Sequence, residues 1–362
     1  MFSYLIAVEP LGLLYGSAGR FLSPDNLVGR SGDSFPPRAM AIAGVFAHAW
    51  SNDPDKKKEL VNLKVAGAFW AKCDDVQNFY VPTPQIYLVD KVTKQVSDRL
   101  FWQGTEWKQF EWQTNKWVGV SEDELGGKFE SGSWQSIQEW NSFKPPEIEK
   151  SPWKSLPHLH PKLCADERRT YIDDETNKGS LFLENAVQLD PEVCLVYLSN
   201  QKLENGWYRF GGEGHMVEIK CSEISKDSKI STLLNQRLEK SFALISPAVW
   251  GSNNFSYRTP GIQDKEDKEK WESLWQVETM LIDRPQPFRY RRGKYLSRGR
   301  YAVPAGTVYV LDKAIDSWQN WPESWFPKDR REKEDPNTQE EITKLLTLKS
   351  WGCGLALPLR VN

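Results

Sequence analysis

Arginines set among glycines are the residues of this chain best suited to chemistry, and that chemistry is anion binding. Arg20 and Arg30 stand in a loop reading Tyr15-Gly-Ser-Ala-Gly-Arg-Phe21 and Val28-Gly-Arg-Ser-Gly-Asp33, and Arg38 closes Ser34-Phe-Pro-Pro-Arg38. Proline suits the first turn of a helix, where its missing N–H is not needed. Ile42, Val45, Phe46 and Ala49 then recur at helical spacing. A helix N-terminus offers free N–H groups that attract anions. A second cationic set is Arg284, Arg289, Arg291, Arg292, Lys294, Arg298 and Arg300, with Phe288, Tyr290 and Tyr295 interleaved and no acidic residue between. Guanidinium groups beside aromatic rings clamp a phosphate backbone and stack unpaired bases. Cations clustered without acidic partners repel one another, so this stretch is expected to order only against an anion. A solvated cationic loop is the plainer reading. Two glycine-dense turns could let a backbone approach closely. Arg209-Phe-Gly-Gly-Glu-Gly-His215 supplies Gly211, Gly212, Gly214 and His215, and Trp351-Gly-Cys-Gly354 supplies Gly352 and Gly354.

Acid–base and metal chemistry find less support. His48 lies in the first helix, and histidine exchanges protons near neutral pH. Tyr15 and Lys56 are its possible companions, although a structural histidine explains His48 as well. His158 and His160 could put two imidazoles on one face of an extended segment, but a metal site needs three or four ligands. Asp166 and Glu167 follow in no obvious frame. Asp74-Asp75 and Asp173-Asp174 read as turn residues. Neither a phosphate-binding Gly-x-x-x-x-Gly-Lys-Ser/Thr loop nor a Gly-x-Ser-x-Gly elbow is present. The expectation is a protein that is not an enzyme, with no metal and no cofactor.

The elements that must carry these residues alternate between strand and helix. Strands are expected near residues 3–11, 65–72, 86–90, 179–183, 193–198, 215–221, 242–250 and 276–282, with helices near 36–50, 232–241 and 338–348. Residues 53–58 read as a solvated turn and 264–272 as a surface charge run. Residues 301–311 read as a strand interrupted at Pro304-Ala-Gly306. At 362 residues the chain suits two domains, divided between 1–191 and 192–362. Residues 100–155 look like an insertion, and seven of the 17 tryptophans fall between Trp102 and Trp153. They could stack on bases or anchor a partner, but their spacing gives no continuous exposed face, which favours a small core.

Five scattered cysteines without Cys-x-x-Cys spacing suit a reducing cytoplasm. No apolar run is long enough to span a bilayer, and the N-terminus lacks the basic region and cleavage site of a signal peptide. A free-standing nucleic-acid binder is usually basic overall. A net charge of −2 with local basic stripes better fits a subunit whose acidic faces lie elsewhere.

Five stretches together carry a family likeness. They are Glu9-Pro-Leu with Leu14-Tyr15 and Gly19-Arg-Phe21, Phe35-Pro-Pro with Ala43-Gly44, Gly211-Gly-Glu-Gly214, Val303-Pro-Ala-Gly-Thr-Val-Tyr309 and the closing glycine loop. In this order they resemble subunit three of the type III-B (Cmr) CRISPR–Cas effector complex, a RAMP protein of the Cas-five group. The basic residue expected after Gly-Gly-Glu-Gly is His215 here. The resemblance implies an α+β fold of two ferredoxin-like (RRM-like) βαββαβ units with large insertions. It also implies a non-catalytic RNA-binding scaffold that holds the 5′ handle of the guide (CRISPR) RNA. The implied partners are that RNA, the large polymerase-like subunit and the backbone RAMP subunits, in antiviral defence and away from any membrane. A related subunit of a type III-D complex, a guide-processing endoribonuclease and a purely protein-binding subunit are the alternatives.

Overall fold

Alternation along the first strand divides the molecule into two cores. In β1 (Tyr4–Pro10), Ile6 and Val8 face one way and Leu5 and Ala7 the other, all buried. The computed structural model describes residues 2–361 apart from 16–34, 91, 94, 105, 109–110, 114–115, 121–127, 131, 143, 162–163, 165–168, 172–180, 213, 252–254, 264–269, 293–294 and 329–346.

Helix α1 (Ala39–Ala49) buries Ala39, Ile42, Val45 and Phe46 against the Ile6 and Val8 side. Each large apolar side chain taken from water stabilises the fold by about 1.5–3 kcal/mol. The expected turn at 53–58 is instead a short exposed helix, α2 (Pro54–Glu59), because Asp53 caps it. Its carboxylate accepts from Asp55 N and Lys56 N, both at 3.1 Å.

The first sheet continues with β2 (Val65–Lys72), β3 (Tyr80–Pro82), β4 (Trp134–Ser136), β5 (Val193–Ser199), β6 (Gly206–Phe210) and β7 (His215–Glu223). Its order is β4-β3-β2-β5-β1-β7-β6, antiparallel throughout. After α3 (Lys229–Asn235) a second sheet forms from β8 (Glu239–Leu244), β9 (Val277–Leu281), β10 (Val308–Ile315) and β11 (Ala356–Pro358), in the order β9-β10-β8-β11.

Both sheets contain the strand order second, third, first, fourth of a βαββαβ unit: β2-β5-β1-β7 in one and β9-β10-β8-β11 in the other. The helices do not follow. Of the four crossovers, only the first carries an α-helix among the described residues, where α1 leads from β1 to β2; the last has short 3-10 turns. Between β5 and β7 the chain makes β6, which extends the sheet instead of covering it. The fold is therefore mixed and strand-rich, with few helices.

The division expected at residue 192 runs through the first sheet, because β5 and β7 flank β1 as its two direct neighbours. The helix expected at 232–241 begins earlier and ends at Asn235: Ser228 Oγ caps it by accepting from Ser231 N at 3.3 Å, and Gln236 is already extended. The next strand consequently starts at Glu239. The helix expected at 338–348 and the charge run at 264–272 fall largely outside the described residues.

Several described tryptophans of residues 100–155 pack in the core. Trp102 and Trp117 pack at 5.4 Å and donate to β9, to Glu278 Oε2 at 2.9 Å and Thr279 Oγ1 at 3.1 Å. Trp140 is fully buried and donates to Pro358 O in β11 at 2.7 Å. The segment thus binds the second sheet, and each of these three indole N–H groups has an acceptor.

Candidate nucleic-acid interface

The cationic stretch is a β-hairpin. Residues Gln286–Phe288 pair with Arg300–Ala302, and Arg291–Arg292 pair with Tyr295–Leu296 further out. Period-two alternation sorts its side chains. Phe288 and Tyr290 turn inward and are buried, while Arg289 between them is exposed. Tyr290 meets Trp351 edge-on at 5.0 Å, so these two rings anchor the hairpin and are not free to stack on bases. Tyr301 points outward, 62% exposed. Arg284, Arg289 and Arg298 are exposed, and Arg300 is half-buried. Arg289 Nε donates to Ser297 O at 2.8 Å across the hairpin. Arg291 and Arg292 lie on its outer strand, and Lys294 lies outside the described residues.

Arg38 belongs to this hairpin. It sits in extended conformation at the start of α1, and its guanidinium lies 4.4 Å over the Phe288 ring. Its Nη2 donates to Pro287 O at 3.0 Å. Burial lowers its pKa from the ordinary 12.5, and an arginine so placed still carries its charge at neutral pH. The helix start and the hairpin base, 249 residues apart, thus form one unit. A cleft beside it is lined by Arg38, Gly67, Pro247, Phe288, Trp351 and Cys353. Arg20 and Arg30 lie outside the described residues.

A second cluster gathers around Tyr15. The strand Leu14–Tyr15 pairs with Ala186 and Val187 in Leu181–Leu189, which in turn pairs with Trp153–Pro161. Tyr15 OH lies 2.8 Å from His158 Nδ1. The His215 ring stacks on Tyr15 at 5.0 Å. His215 follows the glycine turn, where Gly211 and Gly214 have φ of +73° and +67°, and where Gly211 and Gly212 face open space. Tyr15 therefore joins His158 and His215, residues 143 and 200 positions away. His158 was singled out only with His160 as a possible metal ligand; nothing local marks it as the companion of Tyr15 and His215.

The closing glycines have a different task. Gly352 and Gly354 are buried, with φ of +68° and +67°. A Cβ on Gly352 would lie 2.3 Å from Ala66 Cβ, and one on Gly354 would lie 3.1 Å from the Trp250 ring. They let the chain pass between β2 and Trp250, so the close approach they permit is to this chain itself.

The remaining candidates stay apart. His48 is exposed on α1, and Lys56 is exposed on α2. Asp74 and Asp75 are exposed, and Asp75 accepts from Asn78 Nδ2 at 2.7 Å within a turn. Asp166, Glu167, Asp173 and Asp174 lie outside the described residues, as does the side chain of His160. Among the described residues, no three His, Cys, Asp or Glu side chains gather to hold a metal ion. None of their helices is long and apolar enough to cross a membrane.

Residues 29–360 match the model of a family described as CRISPR-associated protein (Cas_Cmr3). The chain belongs to this family. The resemblance read from the five sequence stretches is borne out, and with it the chain's standing as a subunit of a CRISPR–Cas effector complex. No curated protein matches the chain. Among solved structures it is similar to a chain of the type III-B Cmr-β complex bound to cognate target RNA and AMPPnP, with 12% identity over 84% of this chain and 86% of that one, at a TM-score of 0.47. It is also similar to a chain of a Csm1–Csm4 cassette in complex with AMPPNP, with 12% identity over 100% of this chain and 98% of the other, at a TM-score of 0.38. A chain of a Csm3–Csm4 subcomplex of a type III-A interference complex follows, with 11% identity over 86% and 94%, at 0.34. Family membership rests on the family match and not on these likenesses.

Proposed function

We propose that this chain is a non-catalytic RNA-binding subunit of a type III CRISPR ribonucleoprotein. In this reading it holds the 5′ handle of the guide RNA, docks the large polymerase-like subunit and meets the backbone RAMP subunits, in cytoplasmic antiviral defence. Its two sheets are two ferredoxin-like units in which, among the described residues, one crossover carries an α-helix. The observation that carries the reading is the cationic hairpin. Phe288 and Tyr290 are buried against Arg38 and Trp351 while Arg284, Arg289 and Arg298 stay exposed. A rigid base with outward cations suits phosphates held in a fixed place. Arg291, Arg292 and Lys294 add cations in the same stretch of sequence, and Arg20 and Arg30 precede the helix that Arg38 opens.

Salt dependence of repeat-handle RNA binding tests this directly. Changing Arg284, Arg289 and Arg298 together to Ala should weaken binding and flatten the salt slope by about one unit for each phosphate no longer neutralised. An unchanged slope would mean that the hairpin does not touch RNA. The same RNA should survive incubation with the protein, with or without divalent metal. Cleavage that His158→Ala or His48→Ala abolishes would instead establish a nuclease.

A further inference from the structure

The first sheet ends at an edge that no other described strand covers. β6 is its last strand and pairs on one side only, Trp207 opposite Glu218 and Arg209 opposite Met216. Along an antiparallel strand the hydrogen-bonding direction alternates. Met216 O accepts from Leu11 N at 3.1 Å, so Met216 turns its backbone toward β1. Arg209 opposite it, and Trp207 two residues before, therefore turn their N–H and C=O groups out of the sheet. Their side chains share one face. Trp207 is 70% exposed and has no ring or hydrogen-bond partner among the described residues, and Met216 and Leu11 beside it are 42% and 54% exposed. Arg209 is exposed and makes no ion pair among the described residues, whereas neighbouring Lys220 is bound to Glu9 at 2.8 Å and to Glu218 at 3.7 Å. On the opposite face Phe210 is buried and Tyr208 packs in the same core as α1, so the edge is held in place.

We propose that β6 is a docking edge to which an extended segment of a neighbouring protein subunit adds as a further strand. The segment sets an apolar side chain against Trp207 and Met216 and a carboxylate on Arg209. Outward donors and acceptors in alternation match a peptide backbone. Phosphates can use only the donors and would meet Glu218 and Glu9 on the same face. Tryptophan, methionine and arginine are the side chains enriched in protein interfaces. A second copy of this chain fits less well, since pairing two such short strands edge to edge brings the two Arg209 charges together. The inference rests on the chain being one subunit of an assembly and is independent of its RNA binding.

Hydrogen exchange of the full chain tests it, free and in the assembly reconstituted with co-expressed neighbouring subunits, each with and without guide RNA. The amides of Trp207 and Arg209 should exchange fast in the free chain and at least about tenfold more slowly in the RNA-free assembly. Arg209→Pro removes an outward N–H, which an edge strand tolerates, and Arg209→Glu reverses the charge. Each should leave the melting transition of the free chain in place and weaken incorporation into the assembly by about tenfold or more. Protection that guide RNA alone produces would make the edge an RNA contact and overturn the proposal. So would protection that grows with the concentration of the free chain, or unchanged exchange in the assembly.

Discussion

Single residues show where sequence reading reached and where it stopped. The Trp351-Gly-Cys-Gly354 loop was visible as a place of close approach, but its neighbour was not: the close approach is to Ala66 of this chain. Gly352→Ala combines a left-handed φ of +68° with that crowding, so a loss of about 1–3 kcal/mol or more is expected in denaturant unfolding. Lys349 is a second case, since nothing nearby in sequence predicts its burial. Its Nζ donates to Gln319 O at 2.9 Å and to Trp321 O. Burial pulls its pKa from 10.5 to about 8. The unfolded chain keeps the proton up to about 10.5, so between these values it binds more protons than the folded chain. The Lys349 contribution to stability is therefore lowest below pH 8 and rises from there toward 10.5. Buried Cys194 and Cys353, both raised by burial, act in the opposite sense at high pH. Comparison with Lys349→Met cancels them: wild-type stability minus variant stability should climb across this window. A flat difference would mean that the ammonium is better solvated than its burial implies.

At the scale of elements, periodicity located β1, β2, β5, β7 and β9 but not β3, β4 or β6, and missed the partnerships. The reading 65–72 coincides with β2, 3–11 contains β1, and 36–50 contains α1, because alternation and helical spacing are written locally. The cationic stretch shows the limit. Its charge suggested a segment awaiting an anion, but every second residue from Phe288 to Tyr290 faces inward, and the base of the hairpin is paired. Phe288 binds Arg38 on one side and lies 6.2 Å from Tyr290 on the other. Phe288→Ala should cost about 3–5 kcal/mol if the loss is felt by the whole fold. If the hairpin opens by itself, the loss appears instead as faster tryptic cutting within 289–300, with the main melting transition unchanged. Either outcome identifies Phe288 as the anchor. Unaltered stability together with unaltered cutting would assign the anchoring to Tyr290 and Trp351.

Over the whole molecule, the order of strands decides what can fold. Length and composition suggested two units meeting near residue 192, and no local signal says that β1 takes its neighbours from 193–199 and 215–223. A chain ending at 191 would leave both edges of β1 unpaired and expose Leu5, Ile6 and Val8, all fully buried in the whole protein. Extending it through β7 restores the first sheet but still not the molecule. One continuous core joins Leu5, Phe69 and Val196 of the first sheet to Phe242, Tyr309 and Leu357 of the second, and Trp102, Trp117 and Trp140 tie the intervening segment to β9 and β11. Residues 1–191 alone are therefore expected to lack protected amides in β1. Residues 1–223 should form the sheet with weakened protection on its Leu5 and Ala7 side, while the full chain should unfold in a single cooperative transition. Hydrogen exchange on the three lengths, with calorimetry on the longest, separates this from independent halves. Two resolved transitions in the full chain, or full protection of β1 in residues 1–191, would show that the shared core contributes less than its burial implies.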